Sequence, residues 1–306
     1  MNELEPSGVH NDLTRDDLGK DEPSRNRAAR LAWLAVGVIL VGVIVLVAYA
    51  LTRPTTTQQV AAQAATAPDV VAAMARVPPA AFDQVGITSP SFELTPPTVL
   101  HAQPALVSRS KPEVLYVGSE FCPFCAAERW PLIVALSRFG RFTTLFDAQS
   151  ASGSVFPDIQ TFSFHGASYV SRYLTFAGVE LYSDVVTDQG GYAKIANLTP
   201  TQSALVSRYG ATGSAGVIGS TPFVDIANVM VAATSGFSPV ALLHVSQAAI
   251  AGDLTHPDQP PNPTGEAVVA AANQLTAGLC VATGQRPATV CLSAGVHIAA
   301  AALGLG

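Results

Sequence analysis

Charge is scarce in this 306-residue chain: Asp, Glu, Lys and Arg together make up 12% of it, for a net charge of −6. No basic stripe occurs, and a pI near 5.4 argues against nucleic acid as a partner. No Gly-X-Y period is present, which excludes a collagen-like chain. An apolar content of 49% excludes a disordered one. Cysteine is nearly absent as well. Four in the whole chain are too few for a disulfide-built miniprotein, although the number is even. Gly-x-Ser-x-Gly is missing, so hydrolase chemistry has no frame. The glycine-rich stretch 210–219 has no following lysine, so it does not read as a phosphate loop. The six histidines, His10, His101, His165, His244, His256 and His297, show no paired metal-ligand spacing.

With charge so thin and a mean hydropathy of +0.34, the apolar residues must concentrate somewhere. Residues 31–51, LAWLAVGVILVGVIVLVAYAL, carry no charge, and about 20 such residues cross a bilayer as a helix. Arg25, Arg27 and Arg30 precede the run and Arg53 follows it, so the positive-inside rule puts the N-terminus in the cytoplasm. The expectation is a single-pass cell-membrane protein. It has a cytoplasmic tail (1–30), a transmembrane helix held in the lipid bilayer (31–51), a Thr/Gln/Ala/Pro-rich stalk (52–68) and an extracytoplasmic domain (69–306). A cleaved signal peptide is the alternative, because Ala48-Tyr49-Ala50 fits a cleavage site. The apolar run, however, exceeds the ~7–15 residues typical of a signal core. Either way the domain faces a compartment in which disulfides persist.

Within 69–306, several prolines between short apolar pieces suggest a packed extension up to Lys111. Val114–Val117 is a continuous apolar run of the kind that forms a buried central strand. Glu120-Phe121-Cys122-Pro123-Phe124-Cys125 follows. A helix then runs to Gly140 with Pro131 inside it, and Phe142–Phe146 reads as the next strand, so 113–146 forms a β-α-β unit. A long insertion, about 148–215, contains strand-like pieces and a helix with Thr199 as cap, Pro200 at its first position and Gln202 three residues on. Strands follow at 220–226 and 229–232, then a helix from Ser238-Pro239 to about Ile250 and a proline-rich hinge at 257–263. A terminal helical pair, about 266–281 and 289–303, carries Cys280 and Cys291.

The species that attacks a disulfide is a thiolate, so a reactive cysteine needs a group that stabilises negative charge. A helix N-terminus supplies unpaired N–H groups and the positive end of the dipole. Cys122 stands just before such a helix, and Cys125, three residues on, can reach back and resolve a mixed disulfide. Glu120 and Glu113 are candidate proton acceptors for Cys125. Two other readings remain open for the pair, half of a zinc site and a plain structural disulfide. Cys280 and Cys291 read first as a structural disulfide closing a short loop and second as a redox relay.

Val114–Phe139 with its FCPFC, together with Thr221-Pro222 before a strand and hairpin, resembles the thioredoxin-like superfamily. EVLYVGSEFCPFCAAERWPLIVALSRFG resembles more closely a prokaryotic, membrane-anchored thioredoxin-like family of unknown function. The resemblance implies an α/β thioredoxin-like fold with a long insertion and extra C-terminal helices, behind one N-terminal transmembrane helix. It also implies a cis Pro222 facing the cysteines, with Thr221 offering backbone groups to an incoming strand. The expected function is thiol–disulfide exchange on protein substrates, without metal or organic cofactor. The expected redox partner is a second protein, membrane-embedded partners included. The competing reading is a non-catalytic binding or scaffold module whose cysteines form a structural disulfide.

Overall fold

The computed structural model describes residues 33–34, 37–47, 63–210, 222–255 and 262–305. The chain divides into two compact units, Met1–Gln59 and Val60–Gly306. In the first, residues 37–47 are helical and the large apolar side chains from Val38 to Val47 are exposed. The expected fold class, a thioredoxin-like fold behind one N-terminal transmembrane helix, is corrected here. The described residues form a mixed α/β structure, and no helix among them is long and apolar enough to cross a membrane. Residues 37–47 rise about 16 Å at 1.5 Å per residue, against roughly 30 Å of hydrocarbon. The remainder of the expected span 31–51 lies outside the described residues. The localisation is corrected with it: a single-pass cell-membrane anchor with a cytoplasmic N-terminus and an extracytoplasmic domain is not shown.

The second unit begins inside the expected stalk. Thr66 N donates to Leu145 O and Asp147 N to Ala64 O, both at 2.9 Å, so this end of the segment lies along a strand. Residues 52–62 lie outside the described residues. Two short helices follow, α1 (Pro68–Met74) and α2 (Pro79–Val85), which bury Val70, Met74, Phe82 and Val85.

The main sheet is built on β3 (Lys111–Gly118), whose Val114–Val117 run is fully buried. Parallel to it lies β6 (Thr175–Glu180). On its other side β9 (Phe223–Ile226) runs antiparallel and turns into β10 (Met230–Ala232). Ala227 and Asn228 make that turn with φ of 53° and 57°, the combination that matches the twist of a tight hairpin. Two-residue strands complete the sheet, β1 (Thr98–Val99) on β10 and β2 (Val107–Ser108) on β3.

The β-α-β unit expected over 113–146 is also corrected. After the helix α3 (Pro123–Ser137), β4 (Gly140–Gln149) pairs with β5 (Gln160–Ser171) in a separate antiparallel sheet, and β6 takes the place beside β3. Both edges of β3 are taken, by β6 from Glu113 to Gly118 and by β9 from Val114 to Val117, and β4 forms its own ladder with β5. A Cβ on Gly178 of β6 would stand 2.5 Å from Phe164 of β5, so the bare backbone there lets β5 lie close against β6. A third sheet is the hairpin β7 (Tyr182–Val186) and β8 (Tyr192–Lys194).

The strand alternation divides the core. Val114, Tyr116, Val224 and Ile226 face α3 and α6 (Pro263–Ala282). Leu115, Val117 and Phe223 face the other way, toward Leu205 and Val206 of α4 (Pro200–Tyr209). The predicted capping box of α4 is present, with Thr199 and Gln202 bonded reciprocally. The helix expected from Ser238 to Ile250 is two pieces, a 3₁₀ turn Pro239–Leu242 and α5 (Gln247–Leu254). His244 between them has φ 62°, which no helix accommodates. The last expected helix is likewise split into α7 (Ala288–Cys291) and α8 (Ala294–Leu303).

Candidate functional site

β3 ends at Gly118, and Ser119-Glu120-Phe121 carries the chain to Cys122, the N-cap of α3 with φ −80° and ψ 122°. The Cys125 amide donates to Cys122 Sγ at 3.2 Å, which is the role a serine or threonine oxygen plays at an ordinary cap. Pro123 occupies the first turn, where its missing N–H breaks no intrahelical bond. Cys122 and Cys125 are buried, 1% and 0% exposed. Burial pushes the Cys122 thiol up. Hydrogen bonds from the Cys125 thiol and from the Cys125 and Phe124 amides, together with the Arg129 charge, outweigh it and leave Cys122 below its ordinary value. Cys125 lies well above its ordinary value, through burial first and then its hydrogen bond to Cys122 and the charge there.

Arg129 was not singled out from the sequence. It lies one helical turn beyond Cys125, so the two share a face of α3. Its Nε and Nη2 donate to Glu180 Oε1 and Oε2 at 2.9 and 2.8 Å, and Nη2 also reaches Ser119 O at 2.7 Å. Both side chains of this ion pair are 0% exposed. Glu180 ends β6 opposite Gly118, so sheet and helix together bring the pair under the cysteines. A signal was there to read: Glu128-Arg129 interrupts an otherwise apolar helix, and buried charges are found paired.

The sequence-predicted residues divide. Val117 faces Phe223, so the same register extended one step sets Pro222 across from Gly118, where a Cβ would stand 3.1 Å from Cys125 Sγ. Thr221 lies outside the described residues, and with it the bond it makes to Pro222. Glu120 adjoins the motif but its oxygens are occupied. Oε1 accepts from Ser163 Oγ and Gln63 Nε2, and Oε2 from the Asp184 amide at 3.2 Å. Burial, partly offset by the Ser163 bond, pushes this carboxyl up to about 7. Glu113 sits five residues before Gly118, about 16 Å away along a strand, which removes it from Cys125. Cys280 and Cys291 form a disulfide, which takes both out of a four-cysteine zinc site. Among the described residues, no cluster of His, Cys, Asp and Glu could hold a metal ion.

Aromatic rings border the motif. Phe121 stacks on Tyr192 of β8 at 4.1 Å and meets Tyr182 edge-on at 6.3 Å. Phe124 meets Phe156 edge-on at 5.9 Å. Phe121 and Phe124 are themselves half-buried.

A buried CxxC at the start of a central helix, over an arginine–glutamate pair, defines an α/β protein with the makings of a thiol site. The chain belongs to the DUF929 family, a domain of unknown function, which matches residues 101–280. No curated protein matches the chain, and no solved structure does.

Proposed function

We propose that this protein is a thiol–disulfide oxidoreductase related to the thioredoxin-like superfamily. Cys122 is its nucleophile and Cys125 its resolving thiol, acting on protein thiols or disulfides and recharged by a second redox protein. The observation that carries the reading is Cys122 at the helix N-cap, its sulfur accepting the Cys125 amide at 3.2 Å. A thiolate there is favoured by the helix dipole and by hydrogen bonds to the charged form. Further support comes from the parallel pair β3 and β6 beside antiparallel β9 and β10, and from the motif standing where β3 passes into α3.

In insulin-type disulfide exchange, Cys122→Ser is expected to abolish turnover and Cys125→Ser to accumulate mixed disulfides. Full turnover in the Cys122 variant sinks the reading. Alkylation at Cys122 across pH is expected to show a midpoint below the ordinary ~8.5.

One observation favours a second reading, a binding or scaffold module whose cysteines form a structural disulfide: both are buried. A folded protein whose pair resists reduction and alkylation at every pH supports that reading.

A further inference from the structure

Resolution of a mixed disulfide places a demand on Cys125 that the helix N-terminus does not meet. Once Cys122 is bonded to substrate, Cys125 must itself become a thiolate in a site with 0% exposure. Burial of an uncompensated charge is costly, so the anion needs donors already in place. Three of the buried side-chain polar atoms that have no hydrogen-bond partner among the described residues belong here: Tyr116 Oη, Ser119 Oγ and Arg129 Nη1. A guanidinium has five N–H donors. Those on Nε and Nη2 serve Glu180 and Ser119 O, which leaves the two on Nη1.

The position of Tyr116 follows from Gly118. A Cβ built on Gly118 would stand 2.3 Å from Tyr116 Oη and 3.1 Å from Cys125 Sγ. The phenol oxygen and the sulfur are therefore no more than 5.4 Å apart, the sum of those two distances. The Arg129 guanidinium lies over the same tyrosine ring, 5.7 Å from its centre. A phenol donor and a fixed cation thus converge on the Cys125 side of the motif, and among the described residues neither Tyr116 Oη nor Arg129 Nη1 has a hydrogen-bond partner.

We propose that Tyr116 and Arg129 form the buried seat of the Cys125 thiolate, making resolution of the mixed disulfide the step that they accelerate. This rests on the reading of Cys122 as nucleophile. In that step the Cys125 S–H bond breaks, and the thiolate attacks Cys122 Sγ. The Cys122–Cys125 bond forms as the bond between Cys122 and the substrate sulfur breaks. The departing substrate thiolate takes up the proton that Cys125 released. Two electrons pass from the cysteine pair to the substrate disulfide, and the reverse sequence oxidises a substrate dithiol. Tyr116 and Arg129 exchange no electrons; they are positioning residues that hold charge.

The groups facing Cys125 are Tyr116 from β3, Glu180 from β6, and Cys122 and Arg129 from the start and first turns of α3. Burial keeps the phenol well above its ordinary value, so it remains a donor at any working pH. Glu180 opposes the thiolate, and it fixes the guanidinium in place.

The full-length protein, reduced and freed of reductant, is mixed with the aromatic disulfide dithionitrobenzoate. Attack by Cys122 releases one thionitrobenzoate, and resolution by Cys125 releases the second. In Tyr116→Phe the first release is expected at the wild-type rate, with the second slowed about tenfold and its pH midpoint raised by about one unit. Arg129→Met is expected to slow it further and Arg129→Lys to restore part of the rate. Where the Arg129 variants do not fold, Tyr116→Phe decides, because removing an unpartnered hydroxyl breaks no hydrogen bond. A second release with wild-type rate and pH profile in Tyr116→Phe overturns the proposal. Absence of the first release in the unaltered protein overturns the reading of Cys122 instead.

Discussion

Glu128 stands beside Arg129 on α3 with 1% exposure and no cation paired to it among the described residues. The Gly236 amide donates to its Oε2 at 2.8 Å. Burial dominates over that bond and pushes the carboxyl up to about 8. A raised acid destabilises the fold as pH rises. Below the unfolded value near 4.5 both states are protonated; between there and about 8 only the unfolded state gives up its proton; above 8 the loss is complete. Replacing Glu128 by Gln is therefore expected to stabilise the protein by about 3 kcal/mol at pH 7, with the gain gone by pH 4. Denaturant midpoints measured from pH 4 to pH 8 check this, and a pH-independent difference contradicts it. At this scale the placement of Cys122 at a helix N-cap, with Cys125 bonded back to it, was legible because it depends on local spacing. The apolar helix around Arg129 signalled a buried charge, but not its partner, because Glu180 is 51 residues away and only the folded sheet brings them together.

Elements defined by their own residues were read well, and elements defined by a distant partner were not. The cap of α4 was legible because Thr199, Pro200 and Gln202 satisfy one another within a single turn. Val114–Val117 declared itself by being apolar throughout. The parallel neighbour of that strand did not: β6 pairs with it across a long insertion, Glu113 opposite Thr175, and only the folded chain brings the two together. The break at His244 is likewise a backbone conformation without a sequence signature. The linkage of α6 to α7 through Cys280 and Cys291 gives an element-scale expectation. Changing both cysteines to serine is expected to cost about 2–3 kcal/mol on the chain-entropy account of a short closed loop. Unfolding by guanidinium measures it, and an unchanged midpoint refutes it. Thiol exchange at Cys122 should persist in that variant. Its loss would instead favour the reading of Cys280 and Cys291 as a relay.

The whole chain is two units of unequal size, and the core clusters, the cysteine motif and the disulfide all belong to Val60–Gly306. A chain shortened to begin at Val60 is accordingly expected to unfold in one cooperative transition within a few degrees of that of the full chain. Calorimetry of both checks this, and a broad or absent transition shows that the first unit is required for folding. Gly118 carries one more consequence. Because no side chain fits between Tyr116 and Cys125, most of the residues that the proposal gathers around Cys125 fall in one short stretch, Tyr116, Gly118, Cys122, Cys125 and Arg129, with Glu180 joining them from β6. The spacing Tyr-x-Gly-x3-Cys-x2-Cys-x3-Arg is thus a search pattern in its own right. If Tyr116 and Arg129 act as proposed, it separates, among chains bearing any CxxC, those able to hold the second sulfur in this way from those that are not.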